Sequence, residues 1–214
     1  MSNFPKNLLS GYSAFKNGHY EDERQRYLDL AIKGQTPDAM IIACCDSRAA
    51  PETIFGTGPG ELFVVRNVAN LVPPFAPNDD GQHGTSAALE FGVQALKIKN
   101  IIVMGHARCG GIHTALNPLE QPLAQGDFIG KWLSMLGPAT DEAKANVSLS
   151  DEERLVELER ISVRNSVSNL RSFPYVAEKE AKGELALHGA WFDIKSGELW
   201  IMDSDSGKFK KVDY

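Results

Sequence analysis

The stretch MIIACCDSR, residues 40–48, decides the fold, because an apolar run passes directly into a cluster of reactive side chains. A second stretch of the same design, IIVMGHARCGG, occupies residues 101–111. Short continuous apolar runs are typical of buried parallel strands. The carboxyl ends of such strands meet at one edge of an open α/β sheet, where ligands bind. The sequence therefore predicts one site built from both stretches, which together hold all three cysteines.

The rest of the chain alternates between strand and helix patterns. Residues 62–66 are typical of another strand, residues 85–97 of a helix, and residues 185–194 and 198–202 of a hairpin. Strand and helix alternation favours parallel pairing through right-handed crossovers. We therefore expect an α/β fold with a mainly parallel central sheet, helices on both faces and a C-terminal hairpin that extends one edge.

Length and composition favour one domain over residues 1–214. A chain of 214 residues with 43% hydrophobic residues can bury one substantial core, and no low-complexity linker divides it. Residues 1 to about 36 show helical spacing, with Gly34 as a stop. These N-terminal helices are expected to pack outside the sheet or on a partner subunit.

Charge and cysteine usage exclude several classes of protein. The net charge is −6 and the basic residues are scattered, which argues against a nucleic acid or an anionic membrane surface as partner. The N-terminus lacks the pattern of a signal peptide, and no apolar run is long enough for a membrane span. Three cysteines, two of them adjacent, favour thiols or metal ligands over disulfides. We expect a cytoplasmic protein.

Side-chain alternation separates the two adjacent cysteines. In an extended chain Cys44, Asp46 and Arg48 point to one side, whereas Cys45 points to the other. A metal site that also uses the carboxylate and the guanidinium would take Cys44. Cys45 is then expected to be a small buried apolar residue.

The second stretch supplies the remaining candidate ligands, His106 and Cys109, whose spacing lets both converge on one ion in a tight turn. Two thiolates and one imidazole suit zinc, and three protein ligands leave a fourth position for water, as in catalytic zinc sites. His113 is a weaker candidate, because on a helix it lies a full turn beyond Cys109. The sequence predicts a catalytic zinc held by Cys44, His106 and Cys109.

Asp46 has two possible roles. It could be the fourth zinc ligand, which would close the site. Alternatively, Arg48 holds it in a bidentate pair away from the metal, where it accepts a hydrogen bond from zinc-bound hydroxide. An ordinary surface ion pair is the remaining interpretation. We expect Asp46 and Arg48 to form a catalytic dyad, with Asp46 a ligand only in a closed state.

The pattern C-x-D-S-R, followed downstream by H-x-x-C and two glycines, resembles the β class of carbonic anhydrases. The segments GELFVVRNVAN (60–70) and SAALEF (86–91) also resemble that family, so the similarity extends from about Gln35 to Ala115. Residues 188–199 resemble its closing strands more loosely.

This resemblance implies one Zn²⁺ per subunit on Cys44, His106 and Cys109, and reversible hydration of carbon dioxide to bicarbonate and a proton by zinc-bound hydroxide. The family builds its pocket across a dimer interface, which implies a homodimer or a higher oligomer based on dimers. The positions that match its substrate pocket are Gln35, Phe63, Val68, Phe91 and the Gly110 backbone. Some plant members carry Tyr at the position of Phe91.

Some bacterial members bind bicarbonate at a regulatory site and then close the zinc with Asp. Here Arg66 of that site is present, but Ile41 stands where those members have Trp and Ala43 replaces Gly. The resemblance therefore implies an open site without the bicarbonate switch. Two alternative functions are a hydrolase of carbon disulfide or carbonyl sulfide on the same site, and a redox sensor that releases zinc when Cys44 and Cys109 are oxidised.

Overall fold

A single twisted sheet forms the centre of the protein, seen in a computed structural model that describes residues 3–77, 81, 83–117 and 128–213. Its strands are β1 (Ala39–Cys44), β2 (Leu62–Asn67), β3 (Asn100–His106), β4 (Ala186–Phe192), β5 (Leu199–Met202) and β6 (Phe209–Lys211). Their order across the sheet is β2-β1-β3-β4-β5-β6. The first four in this order pair in parallel, whereas β5 and β6 are antiparallel.

Helices occupy most of the remaining described chain. They are α1 (Lys6–Asn17), α2 (His19–Asp22), α3 (Arg24–Lys33), α4 (Pro51–Ile54), α5 (Gly84–Glu90), α6 (Gly110–Leu116), α7 (Phe128–Leu133), α8 (Gly137–Ala145), α9 (Asp151–Leu170) and α10 (Pro174–Ala181). The structure and its neighbours described below confirm the predicted fold class, including the hairpin of β4 and β5 at the sheet edge. Within the described residues, no helix is both long and apolar enough to cross a membrane.

Two details differ from the sequence prediction. The helix expected over residues 85–97 changes to a π-helical turn at Phe91–Ala95, where Leu96 N donates to Phe91 O. The wider turn brings Gly92 against the sheet, since a β-carbon there would lie 3.3 Å from Met40 Sδ. The prediction also missed β6, which is only three residues long and pairs with β5.

Alternation along the central strands divides the core into two layers. Met40 and Ile42 of β1 pack in the larger layer, together with Val163 of α9. Ile41 and Ala43 point to the opposite face, where Ile54 of α4 packs against them. Helices thus lie on both faces, but the second face has the thinner cover.

The carboxyl ends of the strands are enclosed by the second half of the chain. Leu116 of α6, Leu133 of α7, Ala139 of α8 and Leu158 of α9 form one apolar cluster there. A capping box starts α9, with Glu153 N donating to Ser150 Oγ and Ser150 N donating to Glu153 Oε2. This cluster excludes water from one side of the site described next.

The close packing of α9 on the sheet depends on glycine at position 189. A β-carbon at Gly189 would lie 2.9 Å from Val163 Cγ1 and 3.0 Å from Met202 Cβ. We expect Gly189→Ala to lower the free energy of unfolding by about 1–3 kcal/mol, because both neighbours must move. Urea denaturation measures this. Gly137→Ala is the control, because its β-carbon meets nothing within 4 Å; equal losses in both variants would contradict the packing argument.

Candidate metal centre

The parallel pairing of β1 with β3 brings the two reactive stretches together. Ala43 lies opposite Met104 in the register, so Cys44 and His106 emerge at the same edge of the sheet. The chain then turns through Arg108, whose φ of 57° is in the left-handed region, and Cys109 begins α6. The prediction that both stretches build one site is therefore confirmed in its geometry.

Three potential ligand atoms converge in this turn. The donor atoms of Cys44, His106 and Cys109 all lie within 4.8 Å of one another, and all three residues are buried. The two sulfurs are 3.8 Å apart. Two sulfurs bound at about 2.3 Å to one tetrahedral zinc ion would be about 3.8 Å apart, so the spacing fits zinc. His113 is not part of this cluster.

The histidine is oriented for metal binding by its own backbone. His106 Nδ1 lies 2.9 Å from Ala107 O, which makes Nδ1 the protonated nitrogen. His106 Nε2 is buried without a hydrogen-bond partner. A buried ring nitrogen with a free lone pair, facing two sulfurs, is an unsatisfied group that a zinc ion would satisfy.

The thiols of Cys44 and Cys109 share a hydrogen bond that shifts their two pKa values in opposite directions. The hydrogen bond with Cys109 lowers the pKa of Cys44, while the pKa of Cys109 is raised, first by that shared hydrogen bond and then by burial. Burial acts to lower the pKa of His106, but the Cys44 sulfur, the Ala107 carbonyl and the Asp46 carboxylate together outweigh it and raise that pKa above its ordinary value. One thiolate is thus available to begin metal binding.

Asp46 is held beside this cluster by Arg48. Arg48 Nε donates to Asp46 Oδ1 at 2.9 Å, and Arg48 Nη2 donates to Asp46 Oδ2 at 2.7 Å. The backbone N–H of Arg48 adds a third bond, to Oδ1 at 2.9 Å. The hydrogen bonds from Arg48 hold the pKa of Asp46 far below its usual range. Asp46 Oδ2, which lies 3.9 Å from His106 Nε2, is the oxygen with spare acceptor capacity.

Arg66 fixes the loop that carries these groups. Its Nε donates to Cys44 O at 2.9 Å and its Nη2 donates to Asp46 O at 2.6 Å. The sequence had marked Arg66 only by its resemblance to a regulatory site. Arg66 therefore contacts the backbone carbonyl groups of a predicted zinc ligand, Cys44, and of one member of the predicted dyad, Asp46.

The expectation that Cys45 is buried is wrong. Alternation does place it opposite Cys44, but Cys45 is exposed in the chain described here. Its backbone still pairs with β2, since Cys45 N donates to Asn67 O. The apolar side chains that cover that face of the sheet pack against Ile41 and Ala43 but do not extend to Cys45.

The predicted pocket residues fall into two groups. Val68 and Gly110 lie near the cluster: Val68 follows β2, and a β-carbon on Gly111 would lie 2.8 Å from Val68 Cγ1. Phe63 pairs with Met40, four residues before Cys44, which corresponds to about 13 Å along the strand.

The second group lies toward the other end of the sheet. The ring of Phe91 is 5.9 Å from that of Phe63, and Phe91 is 52% exposed. Gln35 precedes β1 and is exposed. Within one chain, therefore, the structure does not bring the predicted pocket residues together.

One buried side chain near the cluster escaped the sequence analysis. Glu159 of α9 is 1% exposed, and burial raises its pKa to about 7. In the sequence it is one of many charged residues on an amphipathic helix. Only its position among apolar neighbours, Leu158 and Ile161, could have marked it.

The fold and the cluster define an α/β protein with a three-ligand site suited to zinc. A family model described as carbonic anhydrase matches residues 39–199. The chain is 38% identical over 203 residues to β carbonic anhydrase 5, chloroplastic, of Arabidopsis thaliana, covering 94% of this chain and 66% of the relative.

Solved structures agree with this match. The β-carbonic anhydrase CcaA superposes with a TM-score of 0.88 at 29% identity, over 98% of this chain and 92% of that chain. A structure reported among two tetrameric β-carbonic anhydrases from Sordaria macrospora has a TM-score of 0.68 at 31% identity, over 98% and 93% of the two chains.

The chain belongs to the carbonic anhydrase family, in its β class. Members are zinc enzymes that hydrate carbon dioxide reversibly to bicarbonate and a proton. The predicted family, activity and cofactor are thereby confirmed.

Proposed function

We propose that Cys44, His106 and Cys109 hold the catalytic zinc and that Asp46 and Arg48 form the catalytic dyad for carbon dioxide hydration. The observation that carries this proposal is the unpartnered, buried Nε2 of His106 beside two sulfurs that are 3.8 Å apart. Chemistry supports it as well, because thiolates and imidazole are preferred ligands of zinc.

The residues around the site divide the chemical work. When bound, zinc acidifies a water molecule and so supplies the nucleophile for carbon dioxide. Asp46 Oδ2 accepts the hydrogen bond of the attacking water and aims its lone pair at the substrate. Arg48 keeps that carboxylate ionised through a bidentate pair.

We also propose that the site is the open subtype, in which Asp46 stays off the metal. All of the hydrogen bonds between Arg48 and Asp46 would have to be rearranged before the carboxylate could turn to the ion. Ile41 lacks the indole N–H of the Trp in a bicarbonate switch, Ala43 adds a methyl group where that switch has Gly, and Arg66 is already bonded to two carbonyl groups. A zinc-loaded crystal structure at neutral pH with Asp46 on the metal would contradict this.

A second copy of the chain is proposed to complete the substrate pocket. Val68 and Gly110 line the metal end, whereas Gln35, Phe63 and Phe91 lie toward the other end of the same sheet. The exposed ring of Phe91, which lies 5.9 Å from the half-buried ring of Phe63, is apolar surface available to the metal end of a partner. We propose a homodimer, or a higher oligomer built from dimers, with carbon dioxide bound between subunits.

The N-terminal helices are proposed to extend the same interface, within one domain over residues 1–214. Neither α1 nor α3 contributes a buried residue, and Leu8, Tyr12 and Ile32 are exposed. In its own chain α3 contacts the turn before β2, through Arg26 to Glu61 at 2.7 Å. An apolar stripe that remains exposed in this way suits packing on a partner subunit.

We propose a reducing compartment, the cytoplasm, as the location. All three cysteines are free in the structure, and zinc ligation requires thiolates rather than disulfides. One Arabidopsis relative is named as chloroplastic and another as mitochondrial, so the compartment differs among relatives. A fluorescent fusion of the native full-length chain that accumulated in an organelle would contradict the proposal. The carbon disulfide hydrolase and redox sensor alternatives are not favoured.

The ligand assignment predicts opposite results for the adjacent cysteines. Cys44→Ser should abolish stoichiometric zinc binding, because it removes one of three buried donors. Cys45→Ser is the matched control and should keep one zinc per chain, because its side chain lies on the other face. Metal analysis of purified protein measures both. Loss of zinc from the Cys45 variant alone would reverse the assignment.

The dyad role predicts that Asp46→Ala keeps its zinc and loses hydration activity. The expected fall in kcat is about 10²-fold or more, since proton acceptance at the nucleophile is lost. Stopped-flow hydration of carbon dioxide, with zinc content measured on the same sample, tests it. Asp205→Ala changes an exposed carboxylate and serves as control. An unchanged rate in the Asp46 variant would exclude the dyad, and loss of zinc would make Asp46 a ligand.

The dimer proposal predicts that charge on α1 separates subunits. Leu8→Glu combined with Tyr12→Glu places two carboxylates on the exposed apolar stripe and should shift the protein toward monomers. Sedimentation over a range of concentrations measures this, and hydration activity should fall with the dimer fraction. Ser10→Glu adds charge to the opposite side of α1 and should change neither quantity. Full activity in a monomeric variant would contradict a shared pocket.

A further inference from the structure

A carboxylate is buried directly behind the metal centre. Glu159 is 1% exposed and lies on the face of α9 that packs against β3 and β4. Burying a carboxylate among apolar neighbours is unfavourable unless its oxygens are hydrogen-bonded. The proposed hydration chemistry does not use the Glu159 carboxylate, so its burial must have another cause.

Both oxygens of Glu159 accept hydrogen bonds from buried donors. Oε1 accepts from the backbone N–H of Cys109 at 3.1 Å. Oε2 accepts from Trp191 Nε1 at 3.0 Å. The first bond links α9 directly to a proposed zinc ligand, and the second fixes the carboxylate against β4.

The turn that carries Cys109 is held by other hydrogen bonds as well, including an exposed one from Arg108 Nη2 to Glu152 Oε1 at 2.9 Å. Ala107 N donates to Phe192 O at 2.8 Å, and Arg48 Nη2 donates to Arg108 O at 3.3 Å. Between them Arg108 has a left-handed conformation, with φ of 57°. A non-glycine residue there is strained, so the turn needs bonds on both sides to keep its shape. On the far side of Arg108, Cys109 N donates to Glu159 Oε1, and this hydrogen bond is buried.

We propose that Glu159 is a positioning residue of the zinc centre, which sets the direction of the Cys109 sulfur by fixing that residue's backbone N–H. This inference rests on the proposed function only in taking Cys109 as a zinc ligand. Outer groups that orient ligands typically change metal affinity by about 10–100-fold when they are removed.

The arrangement requires a carboxylate rather than an amide. Two N–H donors point at the two oxygens, and Glu159→Gln offers only one oxygen while its NH₂ group faces the other donor. The variant keeps the size of the side chain, but in either orientation of the amide its NH₂ group opposes one of the two N–H donors, so the side chain cannot keep the position that both hydrogen bonds fix. Trp191→Phe removes only the donor to Oε2 and leaves the bond to Cys109 N in place.

Zinc affinity of the apoprotein, measured by competition with a chromophoric chelator, tests the inference. We expect Glu159→Gln to bind zinc about 10–100-fold more weakly than the parent chain. The cobalt(II) form should show an altered thiolate-to-metal charge-transfer band, a readout that general destabilisation of the fold does not move. Trp191→Phe should retain most of the affinity.

Ser166→Ala is the matched control on the same buried face of α9. Its Oγ accepts from Val72 N and donates to Asn70 O, so the substitution removes buried hydrogen bonds without touching a proposed ligand. Urea denaturation of each apoprotein reports the loss of stability separately. Zinc affinity of the Ser166 variant should remain that of the parent.

Two results would overturn the inference. One is a Glu159→Gln variant whose zinc affinity and cobalt spectrum equal those of Ser166→Ala; the other is an equal loss of affinity in Trp191→Phe. If Glu159→Gln does not fold, Glu159→Asp decides in the same way, because it withdraws the oxygens by one methylene group. Failure of the parent chain to bind zinc would instead refute the proposed function.

Discussion

The parallel pairing of β1 with β3 is the constraint on which the site depends. Each strand ends in a potential ligand, and the register places Cys44 and His106 at one edge only because the two strands run in the same direction. An antiparallel arrangement would put them at opposite ends of the sheet. Cys109 then needs only the short turn after β3 to return to the same place, and the helices after it enclose that edge with apolar side chains.

Charge balance explains why two arginines surround this edge. In the proposed site, two thiolates would offset the charge of a zinc ion more fully than neutral imidazoles do, so activation of the bound water would depend more on Asp46. Arg48 keeps that carboxylate ionised, and Arg66 holds the backbone carbonyls of Cys44 and Asp46. The two guanidinium groups act on different atoms of one loop. Neither can replace the other, because each guanidinium group donates in a fixed geometry to its own acceptors, Arg48 to a carboxylate and Arg66 to two backbone carbonyl groups.

Sequence reasoning succeeded where periodicity and chemistry act over a few residues. Alternation separated Cys44 from Cys45, and apolar runs located the strands. It failed where the answer depends on what packs nearby. The exposure of Cys45 reflects missing cover on one face, the π-helical turn at Phe91 is where Gly92 packs against the sheet, and β6 is too short to show a period. Glu159 could not be recognised because its partners, Cys109 and Trp191, are distant in sequence.

The same topology that assembles the metal cluster also separates the pocket. A strand has two ends, so residues near the amino end of a parallel sheet cannot reach ligands at its carboxyl end within one chain. Phe63 and Phe91 pack against each other far from Cys44, yet Phe91 remains half exposed. An apolar surface of this kind is unfavourable in water unless another surface covers it. If these rings contact substrate, they do so at the metal cluster of a partner subunit, and subunit association is then part of the active site rather than an addition to it.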